Sequence, residues 1–240
     1  MIVLTGAAGG VASLLRLDGP VRRTDRRAGP GIVAGDLADP EFCREVVQGA
    51  GAVIHLAGQA DPSTPWPGLR GPNADVVANV LDAAVAAAVP RVLLASSLHA
   101  VAGHVDAGRE LVGEDLPPHA CCPYGAAKVL GEQLARCYAD VWGLRVLCLR
   151  LGGVAPRPLG LSWRGGWLSP ADLNRLVSAA LTADVQFGVY HGVSANTPQV
   201  YGHSLPGYAP QDDSAAFTDL PDDLTPPTAD RPRWGVAHRS

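Results

Sequence analysis

Tyr124 and Lys128 stand four residues apart in the run Tyr-Gly-Ala-Ala-Lys. On a helix that spacing puts both side chains on one face. An ammonium beside a phenol stabilises the phenolate and lowers the phenol's pKa. A phenol tuned this way can exchange a proton with a carbinol oxygen while hydride leaves the same carbon. Ser96 and Ser97 end the apolar run Arg91–Ala95. Ligands of open parallel sheets collect at the C-terminal ends of strands, so either hydroxyl can orient that oxygen. Tyr124, Lys128, Ser97 and Ser96 are the expected catalytic set.

Hydride needs an acceptor. Thr5-Gly-Ala-Ala-Gly-Gly-Val-Ala12 follows the apolar run Ile2–Leu4 and opens a helix. Gly6, Ala8, Gly9 and Gly10 form a turn whose glycines permit close approach of a pyrophosphate. The helix start adds free N–H groups and partial positive charge. Ala12 is small enough for close helix–strand packing at the third glycine position. Asp25 lies 19 residues beyond Gly6, at the end of the second strand. A carboxylate there accepts from ribose hydroxyls and repels a 2′-phosphate. The expected cofactor is NAD; Arg22, Arg23, Arg26 and Arg27 leave NADP open.

The elements that must position these groups alternate. Strands are expected at Ile2–Leu4, Val21–Thr24, Gly51–Leu56, Arg91–Ala95 and Arg145–Leu149, and helices at Pro40–Gln48, Pro72–Ala88, Tyr124–Val141 and Pro170–Leu181. Near-continuous apolar strands alternating with helices predict a parallel sheet covered on both faces. The fold class is α/β, a Rossmann-type doubly wound parallel sheet with a small C-terminal substrate lobe. Residues 1–205 form the dinucleotide-binding domain, with lobe elements from about 153, and 206–240 a Pro/Asp-rich docked tail that frays near Ser240. Asp61–Pro72 carries four prolines and reads as an ordered loop rather than a helix. Gly19-Pro20 keeps the helix after the glycine turn short.

The 240 residues are 47% apolar and 18% charged, which places the chain among globular proteins and outside the disordered class. A net charge of −4 gives no reason to expect nucleic-acid binding. Apolar runs are too short to cross a bilayer, and no signal peptide opens the chain. Five cysteines without zinc-like spacing predict a reducing cytoplasm, no disulfide framework and no metal ligands.

The set Thr5–Ala12, Gly35-Asp36-Leu37, His55-Leu56-Ala57-Gly58, Asn73, Ser96-Ser97, Tyr124 and Lys128 resembles the short-chain dehydrogenase/reductase superfamily. Pro123-Tyr-Gly-Ala-Ala-Lys128 and Leu149-Arg150 are similar to its extended NAD-dependent epimerase/dehydratase branch. Within that branch, Ala95–His99, Leu149–Gly152, Trp167–Asp172 and Gly192–Asn196 look most like uronate dehydrogenases, which oxidise a sugar-acid hemiacetal to a lactone. The resemblance implies that Asp36 and Leu37 lie by the adenine, that Leu56, Ala57 and Gly58 line the cofactor, and that Asn73 lies nearby. It further implies that Lys128 holds the nicotinamide ribose. The implied function is NAD(P)-dependent oxidation or epimerisation of a small sugar-like alcohol or sugar acid. A homodimer through the helices Pro72–Ala88 and Tyr124–Val141 is implied as well.

Three positions depart from that pattern. Leu98 replaces a hydroxyl or amide residue, Gly153 replaces a serine, and Ser162 stands where a carboxylate-gripping arginine is expected, with Arg164 two residues on as its substitute. These departures carry the alternative expectation, an NAD-binding regulatory or scaffold protein with a decayed active site. His99 reads equally as a substrate contact or a capping residue. His55 reads as a satisfied core histidine. Cys121-Cys122 lacks any base partner in sequence. Trp163 and Trp167 suit either sugar stacking or core packing. Asp212, Asp213, Asp222 and Asp223 read as a solvated tail.

Overall fold

The computed structural model describes residues 1–222. The chain begins with β1 (Ile2–Thr5), α1 (Gly10–Leu14), β2 (Val21–Asp25), β3 (Ile32–Ala34), α2 (Pro40–Val47) and β4 (Ala52–His55). It continues through α3 (Trp66–Arg70), α4 (Val76–Ala86), β5 (Arg91–Ser97), α5 (Gly103–Asp106), α6 (Pro123–Trp142) and β6 (Arg145–Leu151). The lobe and closing elements are β7 (Gly153–Val154), β8 (Trp167–Leu168), α7 (Pro170–Thr182) and β9 (Phe187–Gly192).

Seven strands pair in the order β3-β2-β1-β4-β5-β6-β9, every pair parallel. β4 is buried along its whole length and β5 along nearly all of it, as covering on both faces requires. One face packs Val46, Val80 and Ala135 from α2, α4 and α6, and the other packs Leu15, Leu173 and Leu176. Strand order reverses between β1 and β4, and a crevice opens there at the strands' C-terminal ends. β7 and β8 form a separate two-stranded parallel pair in the lobe.

Local chemistry sets the helix boundaries. Asp39 caps α2 by accepting the Glu41 N–H at 2.9 Å, and Ser169 caps α7 by accepting the Asp172 N–H at 2.9 Å. Proline occupies the first helical position in α2, α6 and α7, where its missing N–H costs nothing. α6 ends at Gly143, whose φ of +68° is the left-handed conformation glycine tolerates.

Two sequence expectations need correction. Residues 66–75 are helical, not loop: α3 runs into a π-helical turn over Gly71–Asp75. Pro67 lies in the first turn of α3, so its missing N–H leaves no intrahelical bond unmade. Nor are Asp212 and Asp213 part of a merely solvated tail. The buried Asp172 carboxylate accepts the N–H groups of Gln211 and Asp212 at 2.9 and 3.0 Å, and Asp213 accepts the Thr197 N–H at 2.8 Å. Leu205 and Tyr208 join the α7-side core. Asp223 and the expected fraying at Ser240 lie outside the described residues. Among the described residues, no helix is long and apolar enough to cross a membrane.

Candidate active site

β1 ends at Thr5, and the chain turns at Gly6 with φ +66°. A Cβ on Gly6 would lie 2.7 Å from the Ala57 nitrogen, so only glycine lets β1 and the end of β4 converge here. Asp25 closes the turn from β2. Its Oδ2 accepts the Ala8 N–H at 3.0 Å, and its Oδ1 accepts the Arg27 N–H at 2.9 Å. Burial pushes the Asp25 carboxyl up, but those backbone donors and the Arg27 guanidinium outweigh it and hold it below the usual range. Asp25, Asp36 and Leu37 line a cavity of about 420 Å³ with Gly6 and Gly9. Asn73 is buried and donates to the Gln59 carbonyl at 2.9 Å while accepting the Gln59 N–H at 3.1 Å. It thereby pins the Gly58–Gln59 turn against the cleft.

A second cavity of about 570 Å³ adjoins the first at Leu56, Gly58 and Gln59. Tyr124, Lys128, Ser97, His99 and Trp163 line it. Tyr124 lies in the first turn of α6, and its phenol lines the cavity with Ser97, whose side chain pulls the phenol's pKa down. Ser97 Oγ also accepts the His99 N–H at 3.3 Å, which fixes its position at the end of β5. Ser96 spends its hydroxyl differently. It donates at 2.5 Å to Glu132, and Glu132 holds Arg150 through two bonds of 2.8 Å inside the protein.

The expected Tyr–Lys electrostatics differ from what the geometry gives. Lys128 Nζ donates to the Ala95 carbonyl at 2.9 Å and lies 5.7 Å from the centroid of the Tyr124 ring. Burial lowers Lys128 to about 8. The Tyr124 phenol is pushed up by burial, with the Ser97 side chain pulling the other way, so its pKa is raised rather than lowered.

His55, expected as a satisfied core residue, bonds Thr5 Oγ1 through Nδ1 at 2.8 Å, but its buried Nε2 has no partner. Burial, with the Lys128 charge adding to it, drops it to about 3 and keeps the ring neutral. Arg164 turns away from the cavity and donates to the Phe217 carbonyl at 2.9 Å. The fold explains the departure at Gly153. A Cβ there would lie 2.3 Å from the Trp163 ring, so the indole occupies the space a larger residue would need. Leu98 packs into a small core with Val101, Val112 and Tyr201.

The sequence model of the NAD dependent epimerase/dehydratase family matches residues 2–156, which contain both the glycine turn and the Tyr–Lys pair. The chain belongs to that family. The seven-stranded Rossmann-like sheet agrees with solved members. A crystal structure of a point mutant of uronate dehydrogenase from Agrobacterium tumefaciens complexed with NAD superposes with TM-score 0.85 at 29% identity, covering 95% of this chain and 92% of that one. The uronate dehydrogenase of Pseudomonas syringae is 31% identical over 96% of this chain and 89% of its own length. The L-arabinose 1-dehydrogenase (NAD(P)(+)) of Haloferax volcanii is 32% identical over 91% of this chain and 99% of its own.

As an epimerase/dehydratase family member, the chain has NAD as its cofactor, and the residues present fit that group. Gly6 leaves room for nothing but backbone, and the ionised Asp25 carboxylate ends β2 at the cleft. Sequence reading missed two features of this family member's site. The Glu132–Arg150 pair anchors the Ser96 side of β5, and its signal was an acid on the helix face of Lys128 at i, i+4. The other is the meeting of His99 with Cys121 and Cys122, across a separation of 22 residues that no local motif marks.

Proposed function

We propose that the chain oxidises the hemiacetal carbon of a small, uncharged aldose to a lactone, using NAD. The observation that carries this reading is the placement of Ser97, Tyr124 and Lys128 together in a cavity continuous with the dinucleotide cleft. NAD, when bound, supplies the hydride acceptor. Ser97 orients the substrate hydroxyl, and Tyr124, once it has given its own proton to solvent, takes the proton of that hydroxyl as the phenolate. Lys128 holds its ammonium at the Ala95 carbonyl, one residue from Ser96 and one helical turn from the phenol, where it binds the ribose side of the cofactor. The buried Glu132–Arg150 pair keeps the end of β5 fixed while these groups work.

Substrate charge follows from what lines the cavity. Among the described lining residues, Lys128 carries the one formal charge, and one of its three N–H donors goes to the Ala95 carbonyl. Among the described residues no arginine lines the cavity; Arg164 donates to the Phe217 carbonyl instead. A carboxylate brought into this space would lose water with no guanidinium among the described lining residues to pair it, and Lys128 is the cation assigned above to the cofactor, so burying that carboxylate is costly. Trp163 instead offers an indole face suited to the C–H face of a neutral sugar ring. The L-arabinose 1-dehydrogenase relative supports that substrate class.

The test is NADH formation, followed by absorbance, on aldopentoses and aldohexoses beside the matching uronates. The expected kcat/KM for the best neutral aldose exceeds that for the best uronate by at least about tenfold, the effect of ~1.4 kcal/mol. A reversed ratio overturns the neutral-substrate reading.

A further inference from the structure

Behind Tyr124, one imidazole and two thiols converge. His99 Nδ1 lies 3.2 Å from Cys121 Sγ and 3.3 Å from Cys122 Sγ, and the two sulfurs are 3.9 Å apart. A tetrahedral zinc-like ion, about 2.3 Å from sulfur and about 2.0–2.1 Å from nitrogen, sets its ligands roughly 3.8 Å apart for S···S and roughly 3.6 Å for S···N. The three observed edges match those of such an ion to within about 0.4 Å. We propose that His99, Cys121 and Cys122 bind one thiophilic divalent ion of the zinc class.

The backbone holds the donors in place without an ion. The Cys121 N–H donates to the His99 carbonyl at 3.1 Å, and Cys122 Sγ accepts the Gly125 N–H at 3.4 Å. Gly125 packs against that same carbonyl so closely that a Cβ would come within 2.2 Å of it. These contacts lock the first turn of α6 to the segment after β5. Two sulfurs and an imidazole nitrogen are soft donors, which select zinc-like ions over magnesium or calcium. His99 and Cys121 are partly exposed, giving an ion a route in and leaving its fourth position to water.

A disulfide between the two cysteines is the poorer use of this geometry. Neighbouring Cα atoms are about 3.8 Å apart across a trans peptide, short of the ~4.4 Å at which ordinary disulfides begin. The His99 ring also meets Tyr124 edge-on, with centroids 5.5 Å apart, so an ion here borders the reaction cavity without entering it.

Cobalt(II) added to the reduced protein is the probe, read by the visible d–d bands and the near-ultraviolet thiolate charge-transfer band of a tetrahedral thiolate site. One equivalent is expected to bind, and zinc is expected to bleach the bands by displacement. Cys121→Ser and His99→Asn are each expected to weaken cobalt binding by at least tenfold, while Cys137→Ser, which removes an exposed thiol elsewhere, leaves it unchanged. NAD affinity, measured by calorimetry, reports that each variant is folded. Absence of the bands in the unsubstituted protein overturns the proposal. So does a folded Cys121→Ser or His99→Asn variant that binds cobalt with undiminished affinity.

Discussion

The Lys128 ammonium donates to the carbonyl oxygen of Ala95 at 2.9 Å, one residue before the Ser96–Ser97 end of β5. That bond ties α6 to the centre of the sheet, but it fixes the charge where burial disfavours it. Lys128 is accordingly lowered to about 8. The unfolded chain, with an ordinary lysine near 10.4, binds more protons than the folded one between about pH 8 and 10.4, so this group makes stability rise with pH across that window. Replacing it by Lys128→Met is expected to flatten the rise. Melting temperatures of both proteins from pH 7.5 to 10 check this, and parallel curves count against it.

We propose that the Asp25 carboxylate sets the choice between NAD and NADP. It lines the cavity at the glycine turn with Arg26 and Arg27 beside it. Asp25→Ala removes the repulsion toward a 2′-phosphate and frees Arg27 from its ion pair. NAD affinity is expected to fall by about tenfold or more and NADP affinity to rise, so that the preference narrows or inverts. Titration of both nucleotides by calorimetry decides it; an unchanged NAD/NADP ratio means that Asp25 does not read the ribose.

Gly6→Ala tests the cradle itself. The substitution puts a Cβ 2.7 Å from the Ala57 nitrogen at a φ of +66°. A non-glycine residue in that conformation costs on the order of 1–3 kcal/mol, before the clash is counted. Denaturant unfolding is expected to show that loss together with at least a tenfold loss of NAD binding. Retention of both would mean that the turn is not held as tightly as these distances require.

Much of this was legible in the residues. Alternating apolar runs gave the parallel sheet, and Ser169-Pro170 marked the start of α7 because capping is a local interaction. The elements that escaped are those whose signal is weak or borrowed. β3 is three residues between glycines, and β9 reads Phe-Gly-Val-Tyr-His-Gly, with little apolar continuity; both become strands only because a neighbour supplies their hydrogen bonds. Pro65, Pro67 and Pro72 disguised the helix over 66–75, since a proline near a helix start looks the same in sequence as one that breaks it. At the site, Arg164 stands at a plausible spacing for a substrate grip, but its partner Phe217 lies 53 residues away, beyond the reach of any local pattern.

The two adjacent serines have separate expected phenotypes. Ser97 lines the reaction cavity with Tyr124, whereas Ser96 bonds the buried Glu132. Ser97→Ala is expected to lower kcat by about a hundredfold with little change in unfolding free energy. Ser96→Ala leaves a buried carboxylate short of a donor and is expected to cost about 1–3 kcal/mol of stability. Urea unfolding beside steady-state kinetics separates them, and an exchange of the two outcomes refutes the assignment.

Tyr124→Phe removes one oxygen and nothing else from the cavity. Paired measurement of NADH formation with the best aldose and of NAD affinity by calorimetry is the most direct check on the whole account. Turnover is expected to fall by at least a thousandfold while NAD binds within about threefold of the unsubstituted protein. A variant that oxidises the sugar at an undiminished rate shows that the phenol does not carry the proton, and the proposed chemistry fails with it.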